Sequence, residues 1–355
     1  MQPTRSLAGR AARLVALAAC LSTGVQPALA GCFNGVNLAG AEFGTMPGVF
    51  GKEYTYPSKE TIDYFAGKGF NTIRLPFRWE RIQRKLNGPL DREELARLKE
   101  SVAAMRAHGQ TVILDLHNFA RYNEKIVGTK DVPDSALADV WARLARVFAN
   151  QKGVVFGLMN EPFDMAPTAW LSPANAAIAA IRKTGARNLV LVPGVSWTGA
   201  HSWQADIEGS SNAATMIHVK DAANNLAFEV HQYLDSDFSG TNDDCPRGDD
   251  AAAALRAMTD WFRANKTRGF LGEFGGSATS DCMIGLARMV DVMADADDVW
   301  IGWTYWAAGD WWSPDEPLNI QPTDTGDRLQ LKALTTRKLA REEDACPALD
   351  AVRLR

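Results

Sequence analysis

The chain has 355 residues, 46% of them apolar and 23% charged, with a net charge of −4 at pH 7. That length holds one large α/β domain or two smaller ones, with enough apolar residues for a sizeable core. A mildly acidic chain with no visible basic patch excludes a nucleic-acid binder held by phosphate contacts.

Near the start, Arg5, Arg10 and Arg13 precede the apolar run Leu14–Leu21, and Pro27 with Ala28-Leu29-Ala30 follows. A basic start, a short apolar core and small residues at a cleavage position predict an export signal over residues 1–30. The run is too short to span a bilayer. Two processing routes fit the letters. Cleavage after Ala30 is favoured, because the globular pattern begins at once with Cys32. Lipidation at Cys20 is the alternative, since Leu17-Ala18-Ala19-Cys20 resembles a bacterial lipobox. Residues 31–355 are expected to form one monomeric domain, secreted or periplasmic after cleavage, or lipid-anchored if Cys20 is modified.

Eight strand-like runs follow: Phe33–Leu38, Thr72–Pro76, Thr111–Leu116, Val154–Met159, Leu189–Pro193, Ala227–Gln232, Gly269–Phe274 and Trp300–Trp306. Helix-like segments alternate with them. Ser58–Lys68 opens at a capping serine. Asp91–His108 carries Leu95, Leu98, Val102 and Met105 at helical spacing and stops at Gly109. Pro133–Ala149, Pro173–Thr184, Asp249–Asn265, Asp281–Ala294 and Arg328–Glu342 complete the series, while 197–223 is polar and irregular. Eight βα units predict a single (β/α)8 TIM barrel. An open doubly wound sheet is disfavoured, because no glycine-rich phosphate loop follows the first strand. No linker, repeat or separate carbohydrate-binding module is visible.

Four cysteines follow the signal, and an even count in an exported chain implies disulfides with three possible connectivities. A closed barrel brings Cys32, ahead of the first strand, to Cys346, after the last helix. Cys245 and Cys282 follow neighbouring strands on the opposite face. The expected bridges are therefore Cys32–Cys346 and Cys245–Cys282. No Cys-x-x-Cys pair or histidine cluster has zinc spacing, and the acids of 243–249 read as a solvated loop. No metal or cofactor is expected.

In such barrels the site lies where the strands end. The eight ends carry Asn37, Arg74, His117 with Asn118, Asn160 with Glu161, Trp197, His231 with Tyr233, Glu273 and Trp306. An arginine is an unusual occupant of a strand, and this many polar ends predict one cleft. Glu161, in Val-Val-Phe-Gly-Leu-Met-Asn-Glu-Pro, and Glu273, in Gly-Phe-Leu-Gly-Glu-Phe-Gly, supply the two acids that cleavage of a glycosidic bond needs. Trp203, Trp311 and Trp312 are either stacking platforms along that cleft or packing residues. Asp115 is expected as a buried brace, and His108 and His201 at the surface.

Several of these motifs together resemble glycoside hydrolase family 5. They are Asn-Thr-Ile-Arg74-Leu-Pro, Leu-Asp-Leu-His117-Asn118, Asn160-Glu161-Pro162, His231-x-Tyr233, Gly-Glu273-Phe-Gly and Thr-Tyr-Trp306-Ala. Gly-Val-Asn-Leu-Ala-Gly-Ala-Glu-Phe-Gly at 35–44 and His-Asn-Phe-Ala-Arg-Tyr at 117–122 are similar to its secreted bacterial and fungal endoglucanases, with Phe119 where tyrosine is more usual. The resemblance assigns Glu273 as nucleophile and Glu161 as acid/base. It implies a non-proline cis peptide after Trp306, the floor for the sugar beside the cleavage point. Elementary electrostatics supports the split, since an arginine beside one carboxylate stabilises its charge, and that charge raises the pKa of its neighbour. Asn160 is expected to bind the sugar 2-hydroxyl, His231 to orient Glu161, His117 to brace Arg74 and the nucleophile, and Tyr233 to donate to Glu273. Asn37 and Asn118 are supporting candidates. The implied activity is a retaining endo-β-1,4-glucanase acting on a β-1,4-glucan. The alternatives are the same mechanism on mannan, xyloglucan or mixed-linkage glucan, or mainly transglycosylation, and the non-enzyme alternative is a carbohydrate-binding protein on an inactive barrel.

Overall fold

Runs of β-branched and aromatic residues that are apolar on both faces pair in parallel only if both faces are covered. In the computed structural model, which describes residue 1, residues 32–149 and residues 151–337, each of the eight runs does so. The elements in order are β1 (Phe33–Leu38), α1 (Lys59–Gly67), β2 (Thr72–Phe77), α2 (Trp79–Ile82), α3 (Arg92–Ala107) and β3 (Thr111–Leu116). A small hairpin, β4 (Arg121–Tyr122) and β5 (Lys125–Ile126), precedes α4 (Asp134–Phe148), β6 (Val154–Gly157) and α5 (Pro167–Lys183). Then come β7 (Val190–Pro193), α6 (Asn212–Thr215), β8 (Leu226–His231), α7 (Gly248–Ala264), β9 (Gly269–Glu273), α8 (Ser280–Ala294), β10 (Trp300–Ala308) and α9 (Gln330–Leu334). Strands β1, β2, β3, β6, β7, β8, β9 and β10 close in that order into a barrel. This is the expected (β/α)8 architecture.

The helix starts obey their capping residues. The Ser58 side chain accepts from Thr61 N–H, and the Asp91 carboxylate accepts from the N–H groups of Glu93 and Glu94. One helix start differs by more than two residues. Helix α5 starts at Pro167 rather than Pro173, which lies inside it. Both prolines suit a first turn, but Trp170, Ala174, Ala177, Ile178 and Ile181 form one continuous buried face. Burying that face outweighs the single backbone donor missing at Pro173. The β4–β5 hairpin and α2 were not anticipated. The hairpin turn places Asn123 and Glu124 at φ 46° and 61°, a left-handed pair that two-residue turns favour. The irregular segment 197–223 contains only α6 and a 3-10 turn at Met216–His218. The expected last helix, Arg328–Glu342, is shorter: α9 runs over Gln330–Leu334 and is capped at Thr335. The rest of its expected span past residue 337 lies outside the described residues, as does Cys346 of the expected Cys32–Cys346 bridge.

Alternation inside the barrel sets the height of each side chain. Phe33, Ile113, Val155, Leu191, Ala227, Phe270 and Ile301 pack together as a separate apolar cluster. Two residues further along their strands stand Asp115 above Ile113 and Glu229 above Ala227, and Asn37 stands four residues beyond Phe33. Arg74 joins them from β2. Thus an apolar plug closes the lower barrel, and a layer of buried polar groups lies over it, toward the strand ends.

The Cys245–Cys282 bridge forms as expected, joining the loop after β8 to the start of α8 across a separation of 37 residues. Replacing both cysteines by serine is expected to cost about 4 kcal/mol, from the loop entropy returned to the unfolded chain. A urea unfolding midpoint unchanged by the double substitution would contradict this. Among the described residues no helix is long and apolar enough to cross a membrane.

Candidate active site

The polar layer is organised by Arg74. Its side chain is fully buried, and charge without partners there would be very costly. Nη1 donates to Glu273 Oε1 at 2.9 Å and to Asn37 Oδ1 at 3.0 Å, and lies 3.0 Å from Asp115 Oδ2. Nη2 donates to Asn160 Oδ1 at 2.8 Å. Nε lies 2.9 Å from Glu229 Oε1, an ion pair whose angle is too bent for a hydrogen bond. Residues from β1, β2, β3 and β8, the end of β9 and the loop after β6 therefore meet on one guanidinium. Gly272 carries no side chain for a local reason: a Cβ there would sit 2.1 Å from Glu229 Oε1.

Above Arg74 lie the two glutamates. The Tyr233 hydroxyl donates to Glu273 Oε2 at 2.8 Å, so each oxygen of Glu273 has a donor. His231 Nδ1 lies 2.7 Å from Glu161 Oε1 and 3.6 Å from Glu273 Oε2, and its Nε2 is 3.4 Å from Glu229 Oε1. One ligand atom from each of Glu161, His231 and Glu273 falls within 4.8 Å of the others. Those atoms pair with one another and with Arg74 and Tyr233, so the trio reads as an acid–base cluster in which a histidine bridges two acids. The backbone of Glu161 is left-handed, at φ 42°, which turns its side chain off the strand direction into the cleft.

Trp306, the expected floor, donates its backbone N–H to the Phe274 carbonyl, next to Glu273, and is followed by a cis peptide to Ala307, as the resemblance implied. His117 stacks on Trp306 with ring centroids 5.5 Å apart and an interplanar angle of 17°. His117, expected to brace Arg74 and the nucleophile candidate, is linked to Arg74 through Asp115 and Asn160. It acts through intermediaries: Nδ1 lies 2.7 Å from Asp115 Oδ2, and Nε2 faces the Asn160 amide at 3.3 Å. Because Arg74 holds Asn160 Oδ1, the Asn160 amide nitrogen is the group turned to His117. Asn37 anchors β1 to its neighbours, its amide donating to the carbonyls of Gly272 and Tyr305.

Other candidates sit elsewhere. The Asn118 carbonyl oxygen accepts from Trp79 N–H, and its amide donates to Glu80 and to the Arg121 carbonyl, so it braces the loop after β3. Trp203 is fully buried against Phe228 and Trp261 and is a packing residue, not a platform. Trp312 packs edge-on against Trp306 and Phe43, whereas Trp311 is exposed. Trp197 is the most exposed tryptophan, and its indole stacks on Phe163 at 5.2 Å. Glu229 was missed in the sequence. The available signal was its two-residue spacing from His231 in Glu-Val-His, which places both on the inner face of one strand.

The family described as Cellulase (glycosyl hydrolase family 5) matches residues 33–309. The chain belongs to that family. It is 37% identical over 295 residues to endo-beta-1,4-glucanase B of Emericella nidulans, covering 82% of this chain and 87% of that one. Its structure is similar to that of XacCel5A in complex with cellopentaose, with a TM-score of 0.84, 51% identity and coverage of 86% of this chain and 98% of the other. It is also similar to the endo-beta-1,4-glucanase Xac0029 from Xanthomonas axonopodis pv. citri, with a TM-score of 0.83, 47% identity and coverage of 85% and 97%.

In this family 5 barrel the buried charges shift one another. Burial opposes the charge on Arg74, but Asp115, Glu229, Glu273 and Glu161 more than offset it and keep the guanidinium charged. Burial likewise opposes charge on His231, yet Glu273 and the hydrogen bond to Glu161 push it up to about 10, so it is an imidazolium at neutral pH. Glu161 is raised above the ordinary carboxylate range by burial and by the charge of Glu273, against the pull of His231. Tyr233 is held far above its ordinary value by burial and by Glu273, and stays a donor. Glu42, buried next to the cleft, is pushed up to about 7 by burial while His117 draws it down.

Proposed function

We propose that the chain is an exported retaining endo-β-1,4-glucanase that cleaves internal bonds of a β-1,4-glucan by double displacement. The observation that carries the mechanism is the approach of Glu161 and Glu273, with carboxylate oxygens within 4.8 Å of one another. Retaining enzymes hold their two carboxyl groups about 5–5.5 Å apart, whereas inverting ones need about 6.5–9.5 Å to admit water. The names of the relatives, endo-beta-1,4-glucanases, support the glucan as substrate. The leader-like residues 1–30 and the Cys245–Cys282 bridge support export.

Glu273 Oε attacks the anomeric carbon of a sugar lying on Trp306. Its position is set by Arg74 and Tyr233, whose donors stabilise negative charge on it before attack. Glu161 gives its proton to the departing glycosidic oxygen. Formation of the ester removes the charge of Glu273, one of the two causes that hold Glu161 high. With that charge gone Glu161 is the stronger acid and stays ionised; it takes a proton from the incoming water, whose oxygen bonds to the anomeric carbon as the bond to Glu273 breaks and frees its carboxylate. Asn160, fixed by Arg74, offers the sugar 2-hydroxyl the amide hydrogen that is not turned to His117.

Product stereochemistry tests this reading. Proton NMR of an early digest of cellopentaose is expected to find the β-anomer released first. Initial α-anomer would rule out double displacement. A second outcome follows from His231. Its imidazolium draws the pKa of Glu161 down, so His231→Gln removes that pull and lets Glu161 keep its proton to higher pH. The alkaline limb of kcat/KM is expected to move upward, with kcat reduced. A limb that stays in place would separate His231 from the proton donor.

A further inference from the structure

We propose that the turn at 235–242 positions the carboxylate of Glu273, with Gly240 setting the place of the Tyr233 ring. The proposal rests on Glu273 being the nucleophile. The turn is built around one buried carboxylate. Asp235 accepts from the backbone N–H groups of Gly240, Thr241 and Asn242, from the Asn242 amide and from the Ser239 hydroxyl. So many donors on one acid fix the path of the chain, with Phe238 at φ 63° and Gly240 at φ 72°. The effect is to press the bare Cα of Gly240 against the Tyr233 ring. A Cβ at Gly240 would lie 2.5 Å from both Cδ1 and Cε1 of Tyr233, closer than real side chains approach.

The far end of that ring is the hydroxyl that donates to Glu273 Oε2. The same loop also reaches the other partner of this bond. It runs on to Cys245, whose bridge to Cys282 packs against Gly276, just after Glu273. Ser277 Oγ donates to the Asp243 carbonyl at 2.6 Å. One loop therefore backs both Tyr233 and the segment that carries Glu273. Asp235 and Gly240 touch no reacting atom; they are positioning residues. A displacement of about 1 Å in such a shell can cost up to about 100-fold in rate.

The test is a double-mutant cycle in the full chain. The variants are Gly240→Ala, Tyr233→Phe and the pair, assayed on carboxymethylcellulose and on 2,4-dinitrophenyl β-cellobioside. Gly240→Ala is expected to lower kcat by about tenfold with KM within about twofold, since the ring shift misplaces the nucleophile and not the sugar. The loss should be as large on the aryl cellobioside, whose leaving group needs no proton, because a defect in the nucleophile is not bypassed there. The pair should be no slower than Tyr233→Phe alone. Fully multiplying losses, or an unchanged kcat for Gly240→Ala, would overturn the proposal. Should Gly240→Ala not fold, Asp235→Asn loosens the same turn without adding a Cβ, and the same non-additivity with Tyr233→Phe is required. Glu273→Ala is the control: activity surviving there would defeat the nucleophile assignment itself, separately from the role of the turn.

Discussion

Glu273→Ala is expected to lower hydrolysis of carboxymethylcellulose by at least about 10,000-fold, with the folded state retained. The substitution deletes the attacking atom, and no neighbour replaces it. Glu161 stands across the cleft on His231, and Asp115 and Glu229 lie below, locked on Arg74. Glu161→Gln is expected to lose about 100- to 10,000-fold on the same polymer, because only proton transfer is removed. Azide separates the two roles. With Glu161→Ala it should attack the glycosyl-enzyme in place of water and yield a β-glycosyl azide. With Glu273→Ala it should fill the vacated space, attack an activated aryl β-cellobioside directly and yield the α-azide. If both carboxyl variants kept even a tenth of the activity, the assignment would fail.

Arg74→Ala is expected to be the most destabilising single change in the site, by about 3–5 kcal/mol, as well as inactive. Asp115, Glu229 and Glu273 would remain buried around an empty space with their shared cation gone. Asn37 and Asn160 would also lose the donor that orients their carbonyl oxygens. Arg74→Lys separates charge from geometry. A lysine restores a cation but cannot direct donors to Glu273, Asn37 and Asn160 at once. It should recover part of the unfolding free energy and little of kcat. Thermal denaturation and kcat measured on the two variants check this, and an unaltered melting temperature for Arg74→Ala would show that the ion cluster contributes nothing to the fold.

Most of this site was legible because barrel topology makes strand ends informative. Glu161 and Glu273 follow short apolar runs, and Arg74 interrupts one, so each stood out locally. Glu229 and the working partners of His117 did not. Glu229 lies in the middle of a run, and only its side chain's place against the bare Gly272 of β9 and beside Arg74 explains why a charge belongs there. Asn118 had the same local look as Asn160, yet one turns to the loop after β3 and the other to Arg74. The choice is made by backbone direction past the strand end, which local letters do not encode. Pro173 misplaced a helix start for a related reason, since the buried face of α5 depends on what packs against it.

The order of eight apolar runs and their alternation with amphipathic segments determined the barrel, the cleft end and the two acids, because period and spacing are properties of the chain alone. Tertiary structure decided how those acids differ. Glu273 shares Arg74 with Asp115 and Glu229 and takes a second donor from Tyr233, whereas Glu161 faces His231. These contacts join residues up to 199 positions apart. Their effect on charge depends on distances of about 3 Å in a medium of low dielectric, and only closure of the barrel sets such distances.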